Sequence, residues 1–478
     1  MSSFIVGVKG IDELLPSLLY PGSLVVVAGH PGSGKTTLAS SICYKNALSG
    51  NRCLYISLQE SKKKLFRVMK NLGMDFEELE NKGLYRFLRV PIAKSVEEVV
   101  ELISKAIAEY APKIVVVDSM NALMQFVSNS EKRALIQNYF YSLPEMIDGI
   151  VILIVELPFG EEKIDLGAIE FVADVILVLK HRIERGLLTR VMEIRKARGA
   201  PIVIAEIPFT ISQDKGIIAY VPPILAEITR GGGELKLPCS ALGRVLDHIH
   251  RGHVIYIEHP SSFRPLESVP LLLGIALKND LKALIVSYRY PPETQLNLFI
   301  RVYSICGYSR EDLRKIIEKY VVFKALNPFG YSSAEGVAEE IKLVEEHNAD
   351  IVMFHGVELP AIADRISPNY LASLYNQMNT LKKMGKLIIR VGSYVNYEMS
   401  NLFSALADVV MKFIPTETCE GEQKYRVYIW RRGRNPYLLR YEDFQGCLKE
   451  VCEIINEKLK LQKQCLQPTV GGDCYGSV

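Results

Sequence analysis

The residues best suited to chemistry form a glycine-rich loop near the start of the chain. Residues 29–36 fit the pattern G-x-x-x-x-G-K-[ST]. The glycines let backbone N–H groups converge on phosphate oxygens, the lysine reaches the terminal phosphates, and the hydroxyl binds Mg²⁺. The candidate nucleotide-binding residues are Gly29, His30, Pro31, Gly32, Ser33, Gly34, Lys35, Thr36 and Thr37. The loop predicts a site for a nucleoside triphosphate, with Lys35 also serving catalysis.

The segments on either side of the loop are those that such a loop requires. Residues 24–27 form a continuous apolar run of Leu and Val, typical of a strand buried on both faces. Residues 38–42 can begin a helix, whose N-terminus favours negative charge. The alternative interpretation is an ordinary glycine-rich turn. Such a turn would require neither a buried strand before it nor a helix after it.

Two further apolar runs end in residues that can serve metal binding and hydrolysis. Asp118 follows the run 114–117, and together with Thr36 it predicts a Mg²⁺ site. The alternative is an aspartate that caps the next helix. Gln59 and Glu60 follow the run 54–58, where the group that orients or deprotonates the attacking water is expected.

Length and composition limit the class of protein. The 478 residues exceed what one hydrophobic core holds, and the net charge of +3 is too small to indicate nucleic acid or a membrane as the main partner. Neither a secretory signal nor an apolar run of about 20 residues is visible. The 9 cysteines are odd in number and contain no C-x-x-C pair. They predict reduced thiols in a cytoplasmic protein, with Cys447 and Cys452 buried rather than bound to metal.

The second half of the chain repeats the plan of the first. The corresponding segments are 25–31 and 254–260, 54–57 and 284–287, 73–79 and 307–313, 114–117 and 351–354, and 173–176 and 407–410. Each half alternates short apolar strands with amphipathic helices, which predicts an α/β fold with two mainly parallel sheets flanked by helices. The predicted domains are 1–228, 229–446 and a C-terminal helix with a flexible tail, 447–478. Chance similarity of two unrelated α/β domains is the alternative.

The second copy has lost the phosphate loop. Its corresponding residues, 258–266, read EHPSSFRPL, without glycine and without the lysine and hydroxyl. His355 stands where the first copy has Asp118. We therefore expect no Mg-nucleotide on the loop of the second copy.

Taken together, these motifs resemble the KaiC family, RecA-like ATPases. The resemblance covers nearly the whole chain and is carried by residues 10–15 (GIDELL), 31–37 (PGSGKTT), 73–79 (GMDFEEL), 117–119 (VDS), 193–199 (EIRKARG) and 208–211 (PFTI). It implies two tandem RecA-like domains and a ring, usually a hexamer, with ATP between subunits. It also implies that Lys196 and Arg198 reach the γ-phosphate of the neighbouring subunit; a solvated basic face is the alternative. Arg432 and Arg434 occupy similar positions in the second copy.

Two departures from the family matter. The family carries paired glutamates where this chain has Gln59 and Glu60. Glutamine orients water but is a poor base, so hydrolysis is expected to be slow or to depend on Glu60. The Ser-Thr pair at which clock-type members of the family autophosphorylate is also missing, since residues 170–171 read EF and 404–405 read SA. Autokinase activity is not predicted.

These features favour an ATPase that regulates its own assembly or a partner protein, with the second domain as a structural or partner-binding module. A nucleotide-gated scaffold with little turnover and a protein kinase acting on another protein remain alternatives. A RecA-like DNA-binding ATPase is a third. Its DNA-contacting loops would fall at residues 124–130 and 157–163, and the second is more acidic than basic, which disfavours DNA.

Overall fold

The computed structural model describes residues 4–90, 96–124, 130–158, 160, 169–222, 233–268, 270–416 and 424–466. The chain divides into two compact units, 1–221 and 222–478. The predicted boundary at 228/229 and the predicted flexible tail from residue 468 lie outside the described residues. So do most of the two candidate DNA loops.

The first unit alternates strands and helices and ends in a run of strands. Its elements are α1 Ile11–Leu14, β1 Leu24–Gly29, α2 Lys35–Leu48, β2 Cys53–Ser57, α3 Lys62–Lys70, α4 Phe76–Asn81, β3 Tyr85–Arg89, α5 Val96–Tyr110, β4 Ile114–Asp118, α6 Met120–Met124, α7 Ser130–Met146, β5 Ile150–Glu156, α8 Ile169–Val172, β6 Val175–Glu184, β7 Leu187–Ala197, β8 Glu206–Ser212 and β9 Gly216–Ala219.

The strands of the first unit form one sheet in the order β3-β2-β4-β5-β1-β6-β7-β8-β9. Strands from β3 to β6 are parallel, and β7 to β9 continue the sheet antiparallel. β1 is buried along its whole length because both faces are covered. Val25 and Val27 pack with Leu38 of α2, whereas Val26 packs with Phe140 of α7. Each such valine contributes about 1.5–3 kcal/mol by burial.

The second unit has the same alternation of elements. They are β10 Glu234–Leu235, α9 Ser240–Leu246, β11 Ile249–His250, β12 Val254–His259, α10 Pro270–Asn279, β13 Ala283–Ser287, α11 Pro292–Tyr303, α12 Arg310–Tyr320, β14 Val321–Ala325, α13 Ser333–Glu346, β15 Ile351–His355, α14 Glu358–Ala363, α15 Pro368–Lys383, β16 Leu387–Ser393, α16 Tyr397–Ala405, β17 Val409–Thr416, β18 Lys424–Arg431, β19 Tyr437–Arg440 and α17 Tyr441–Leu466, with 3-10 turns at Leu266–Ser268, Ser304–Cys306 and Pro328–Gly330.

The main sheet of the second unit repeats the strand order of the first. It runs β14-β13-β15-β16-β12-β17-β18-β19, so that β12 takes the central place of β1; β10 and β11 form a separate pair. The predicted fold class, two tandem RecA-like α/β domains with mainly parallel sheets, is confirmed.

The strand register corrects the predicted alignment of the two copies by one residue at the central strand. The backbone N–H of Leu24 donates to Asp174, and that of Val254 donates to Asp408 in the same way. Leu24 therefore corresponds to Val254, and Gly29 corresponds to His259. The sequence alignment missed this shift because both strands are uniform apolar runs, which match equally well one residue apart.

The prediction that the cysteines are reduced thiols is wrong for six of them. Disulfides join Cys43 to Cys53, Cys239 to Cys447 and Cys306 to Cys452, with Cα–Cα distances of 5.9, 5.0 and 5.2 Å. The last two pairs tie α17 to the rest of its unit across 208 and 146 residues of sequence. Spacing along the chain could not reveal them, because folding alone brings such distant residues together.

None of the helices in the described ranges is both long and apolar enough to cross a membrane.

Candidate nucleotide site of the first unit

The phosphate loop connects the end of β1 to the start of α2. Gly32 and Gly34 have φ values of +77° and +104°, which side chains other than glycine rarely adopt. A Cβ atom at Gly34 would also lie 2.8 Å from Cδ1 of Ile211 on β8. The loop conformation therefore requires glycine at these two positions.

The start of α2 is suited to an anion. Gly34 is the N-cap residue and has no side chain with which to satisfy the first N–H groups of the helix. The first turn, which the structure describes throughout, carries no acidic residue. Lys35 lies buried at this end, and its Nζ donates a 3.0 Å hydrogen bond to the carbonyl oxygen of His30. These residues fit the phosphates of a nucleotide.

Burial lowers the pKa of Lys35, and the negative charges of Glu156 and Asp118 oppose this effect. A bound polyphosphate would add more negative charge and would favour the ammonium form further.

The candidate metal ligands Thr36 and Asp118 lie side by side. Oγ1 of Thr36 donates a 3.1 Å hydrogen bond to Oδ2 of Asp118, although the two residues are 82 positions apart in the sequence. Burial raises the pKa of Asp118, whereas hydrogen bonds from Tyr55 and Thr36 and the charge of Lys35 oppose the increase. A hydroxyl and a carboxylate are oxygen ligands of the kind that Mg²⁺ prefers. Within the described residues, no group of three or more His, Cys, Asp or Glu side chains could hold a metal ion. The donor set therefore fits Mg²⁺ held jointly by Thr36, Asp118 and the nucleotide rather than by a protein cage.

Sequence reasoning missed Tyr55, which positions Asp118. Tyr55 lies on β2, fully buried, and its hydroxyl donates a 2.7 Å hydrogen bond to Oδ2 of Asp118. Burial and the neighbouring Asp118 raise the pKa of Tyr55 well above its ordinary value, so the hydroxyl keeps its proton. A tyrosine in an apolar strand looks like a core residue, and only the register of β2 against β4 reveals its partner.

Sequence reasoning also missed Glu156, at the end of β5. It pairs with Gly29 in the parallel ladder, so it lies beside the start of the phosphate loop. Asn121 holds its backbone in place: the N–H of Glu156 donates to Oδ1 of Asn121 at 2.7 Å, and Nδ2 of Asn121 donates to the carbonyl of Glu156 at 3.0 Å. The exposed Glu156 side chain adds a carboxylate charge that acts on both Lys35 and Asp118.

Gln59 and Glu60 follow β2 at the same edge of the sheet. Gln59 is exposed. Glu60 is held outward, since Oε1 accepts a 2.8 Å hydrogen bond from Nζ of Lys64 on α3, and its backbone N–H donates to Oγ of Ser57 at 3.0 Å. The Glu60 carboxylate is thus engaged in a surface ion pair.

Lys196 and Arg198 lie at the opposite edge of the sheet from the phosphate loop of their own unit. Arg198 forms a 3.0 Å ion pair with Asp174, whose other oxygen accepts from the N–H of Leu24 at the start of β1. β1 is 6 residues long, which separates this edge from Gly29 by about 17 Å. Nζ of Lys196 donates to the carbonyls of Glu170 and Phe171 at 3.1 and 2.9 Å. Neither side chain is placed to serve the nucleotide site of its own unit.

The register also corrects the predicted equivalents of these two residues in the second unit. Lys196 pairs with Ile176, and Trp430 pairs with Val410 at the corresponding position. Trp430 and Arg432, rather than Arg432 and Arg434, therefore correspond to Lys196 and Arg198. The sequence alignment placed the pair two residues late because Arg432 and Arg434 have the same spacing as Lys196 and Arg198.

Comparison with known proteins gives matches over the first unit. The KaiC ATPase family model matches residues 5–223. The protein named circadian clock oscillator protein KaiC of Thermostichus vulcanus is 31% identical over 232 residues, which are 48% of this chain and 42% of that protein. The protein of the same name from Prochlorococcus marinus (strain MIT 9313) is 30% identical over 241 residues, 50% of this chain and 45% of that protein.

The matched region is thus less than half the length of either relative. It contains the phosphate loop, Asp118 and the Lys196–Arg198 strand end. Residues 5–223 are thus similar to the KaiC family of ATPases.

Proposed function

We propose that this protein binds Mg-ATP in its first domain, residues 1–228, and hydrolyses it slowly to regulate its own assembly or a partner protein. The observation that supports this most directly is the meeting of Lys35, Thr36 and Asp118 at one edge of the sheet, beside the uncapped start of α2. The residues 29–37 would hold the phosphates, and Thr36 and Asp118 would hold Mg²⁺. When bound, Mg²⁺ supplies charge neutralisation between the phosphates.

The placement of Lys196 and Arg198 supports sites that lie between subunits. Because both side chains lie at the edge away from their own phosphate loop, they could exchange their present partners for the loop of a neighbouring subunit in a head-to-tail ring. A guanidinium and an ammonium there would stabilise the charge that develops on the γ-phosphate. In a closed ring, every subunit places these two side chains at the loop of the next subunit. In line with the family, we propose that the ring is a hexamer.

The residues after β2 support slow turnover. Gln59 orients water without accepting its proton, and the carboxylate of Glu60 is paired with Lys64. The same observation favours a second candidate function, a nucleotide-gated scaffold in which ATP binding changes the assembly state with little hydrolysis.

The second domain, residues 229–446, and the C-terminal segment 447–478 would then serve a protein partner. The chain has a net charge of only +3, so nucleic acid is an unfavourable partner. The absence of paired Ser and Thr at 404–405 supports an ATPase without autokinase activity.

Replacing Lys35 with Ala tests the nucleotide site. We expect Lys35→Ala to abolish binding of Mg-ATP in titration calorimetry while the circular dichroism spectrum stays unchanged. Lys45→Ala, in the last turn of the same helix, is the matched control and should bind as the wild type does. Undiminished binding by Lys35→Ala would refute the proposed function.

A further inference from the structure

At the edge of the second sheet that corresponds to the nucleotide site, the side chains differ in chemical character from those of the first unit. Because Ser57 pairs with Asp118 and Ser287 pairs with His355, the positions of the two units can be matched one by one. The first-unit residues Gly29, Gln59, Glu60, Asp118 and Glu156 correspond to His259, Arg289, Tyr290, His355 and Ser393. The three carboxylates of Glu60, Asp118 and Glu156 are thus replaced by groups that can donate hydrogen bonds.

Three of these replacements lie close to Arg264, and we call Arg264, Arg289, Tyr290 and His355 the basic edge. Nη1 of Arg264, in the loop after β12, donates to the hydroxyl of Tyr290 at 3.4 Å. The Tyr290 ring stacks on the His355 ring with centroids 5.5 Å apart and planes 25° apart. Both arginine charges act on His355. The basic edge therefore combines two guanidinium groups, a phenol and an imidazole at the end of the parallel strands, where α/β proteins bind ligands.

The hydrogen bonds of Ser287 determine the tautomer of His355. Oγ of Ser287 accepts from the backbone N–H groups of Arg289 and Tyr290 at 3.1 and 2.9 Å. A serine oxygen has two lone pairs, so its own hydrogen must be donated to Nδ1 of His355, 3.0 Å away. Burial lowers the pKa of His355 to about 4, so the ring is neutral near pH 7. Its proton must then be on Nε2, which makes His355 a donor.

The nearby carboxylates already have basic partners. Glu358 accepts from Nη2 of Arg289, and Glu258 lies 3.5 Å from Nζ of Lys412. These two pairs are neutral overall, which leaves the charge of Arg264 as the excess at this edge. The pairing with Glu358 also fixes the Arg289 guanidinium in place, so that its other N–H groups are preorganised.

A buried imidazole at the same edge has an unused ring nitrogen. His259 ends β12 where the first unit has Gly29, and it is only 6% exposed. Its Nε2 has no hydrogen-bond partner among the described residues. Leaving a buried polar atom unpaired costs about 1–3 kcal/mol, so Nε2 of His259 is a further group at this edge to which a ligand could bind.

We propose that the basic edge of the second unit binds a small oxyanion, a phosphoryl or carboxylate group, without a metal ion. Arg264 supplies the net charge, Arg289 and the Nε2–H of His355 supply oriented hydrogen bonds, and Tyr290 shapes the wall. The missing carboxylates explain the metal independence, because Mg²⁺ would find no oxygen ligand in place of Asp118. The second unit would thus sense an anion rather than Mg-ATP.

Titration calorimetry on the full-length Lys35→Ala variant in EDTA tests this site without interference from the first unit. Pyrophosphate and citrate are the two probes, and binding of either one supports the proposal and identifies the anion type. Arg264→Gln in the same background should weaken the affinity by about tenfold or more, because it removes a charged hydrogen bond. Tyr290→Phe, which removes one hydroxyl, should weaken it less. Arg426→Gln, on the exposed face of β18, is the matched control and should change nothing.

Three results would overturn the proposal: no binding of either anion at millimolar concentration, binding that requires Mg²⁺, or equal loss in Arg264→Gln and Arg426→Gln. None of these results bears on ATP binding by the first unit, since Lys35 is already replaced. The two proposals therefore fail independently.

Discussion

The hydroxyl of Tyr55 donates a 2.7 Å hydrogen bond to the carboxylate of Asp118, from one parallel strand to the next. The same oxygen of Asp118 accepts from Thr36. Two donors thus hold the carboxylate in the orientation in which it would meet Mg²⁺. The second unit has lost the pair together, since Ile285 and His355 occupy the corresponding positions.

Replacing Tyr55 with Phe should weaken Mg²⁺-dependent ATP binding more than it destabilises the fold. A donor to a carboxylate lowers the carboxylate's pKa, so its removal should raise the pKa of Asp118 and shift the acid limb of Mg-ATP binding to higher pH. We expect the Mg²⁺ concentration for half-maximal ATP binding to rise several-fold. The control is Tyr85→Phe, whose buried hydroxyl has no partner within the described residues. Equal behaviour of the two variants would contradict a positioning role for Tyr55.

Replacing Gln59 with Glu should accelerate hydrolysis. A carboxylate at this position can take the proton of the attacking water. General-base catalysis of this kind raises a reaction rate by about 10²–10⁴-fold when the geometry is right. Because the Gln59 side chain is exposed, we expect a smaller gain of about tenfold in the rate of phosphate release. Glu60→Gln serves as the comparison and should change the rate little, since that carboxylate pairs with Lys64. A large loss in Glu60→Gln would instead assign the base to Glu60.

Replacing both Lys196 and Arg198 with Ala should separate ATP binding from assembly. The two residues lie at the edge that β1 separates from its phosphate loop by about 17 Å, so binding of ATP to the monomer should persist. The increase in mass that a non-hydrolysable ATP analogue causes in the wild type should disappear, as measured by light scattering. Arg182→Ala, at the far end of β6, is the control. If the mass of the wild type never depends on nucleotide, the interface model fails.

The buried Glu340 should make the second unit less stable as the pH rises. Tyr288 and Gln377 donate to its carboxylate, and Arg390 binds Gln377 at 2.9 Å. Burial raises the pKa of Glu340 from its ordinary 4.5 to about 7. The folded state therefore binds the proton more tightly than the unfolded state does, so the stabilisation is complete below pH 4.5 and is lost as the pH rises through 7.

The expected loss of unfolding free energy across this range is on the order of 3 kcal/mol. Urea unfolding can follow it specifically, because the single tryptophan of the chain, Trp430, lies in the second unit. Glu340→Gln keeps the hydrogen-bonding shape without the charge and should flatten the pH dependence. A wild-type curve that is already flat between pH 4.5 and 7 would contradict the prediction.

Local patterns in the sequence were sufficient to predict the strands, the helices and the phosphate loop of the first unit. The loop 29–37 specifies its own conformation, since glycines at 32 and 34 permit backbone angles that other residues avoid, and the β-branched runs beside it favour buried strands. The repetition of the same order of runs was sufficient to predict two sheets of one topology. These features depend on residues close together in the chain, which is why sequence alone reveals them.

Tertiary structure decided which strand ends meet and what each contributes. From the sequence, Tyr55 looks like a core residue and Glu156 like an ordinary surface acid. Their roles become visible only once β2 is paired with β4 and β5 with β1. The cysteine pairs and the basic edge likewise join residues that are tens to hundreds of positions apart. Parallel strands place their ends side by side only through long connections, and a shift of one residue changes every partner. That register is a property of the packed sheet, and it determines the chemistry of both units.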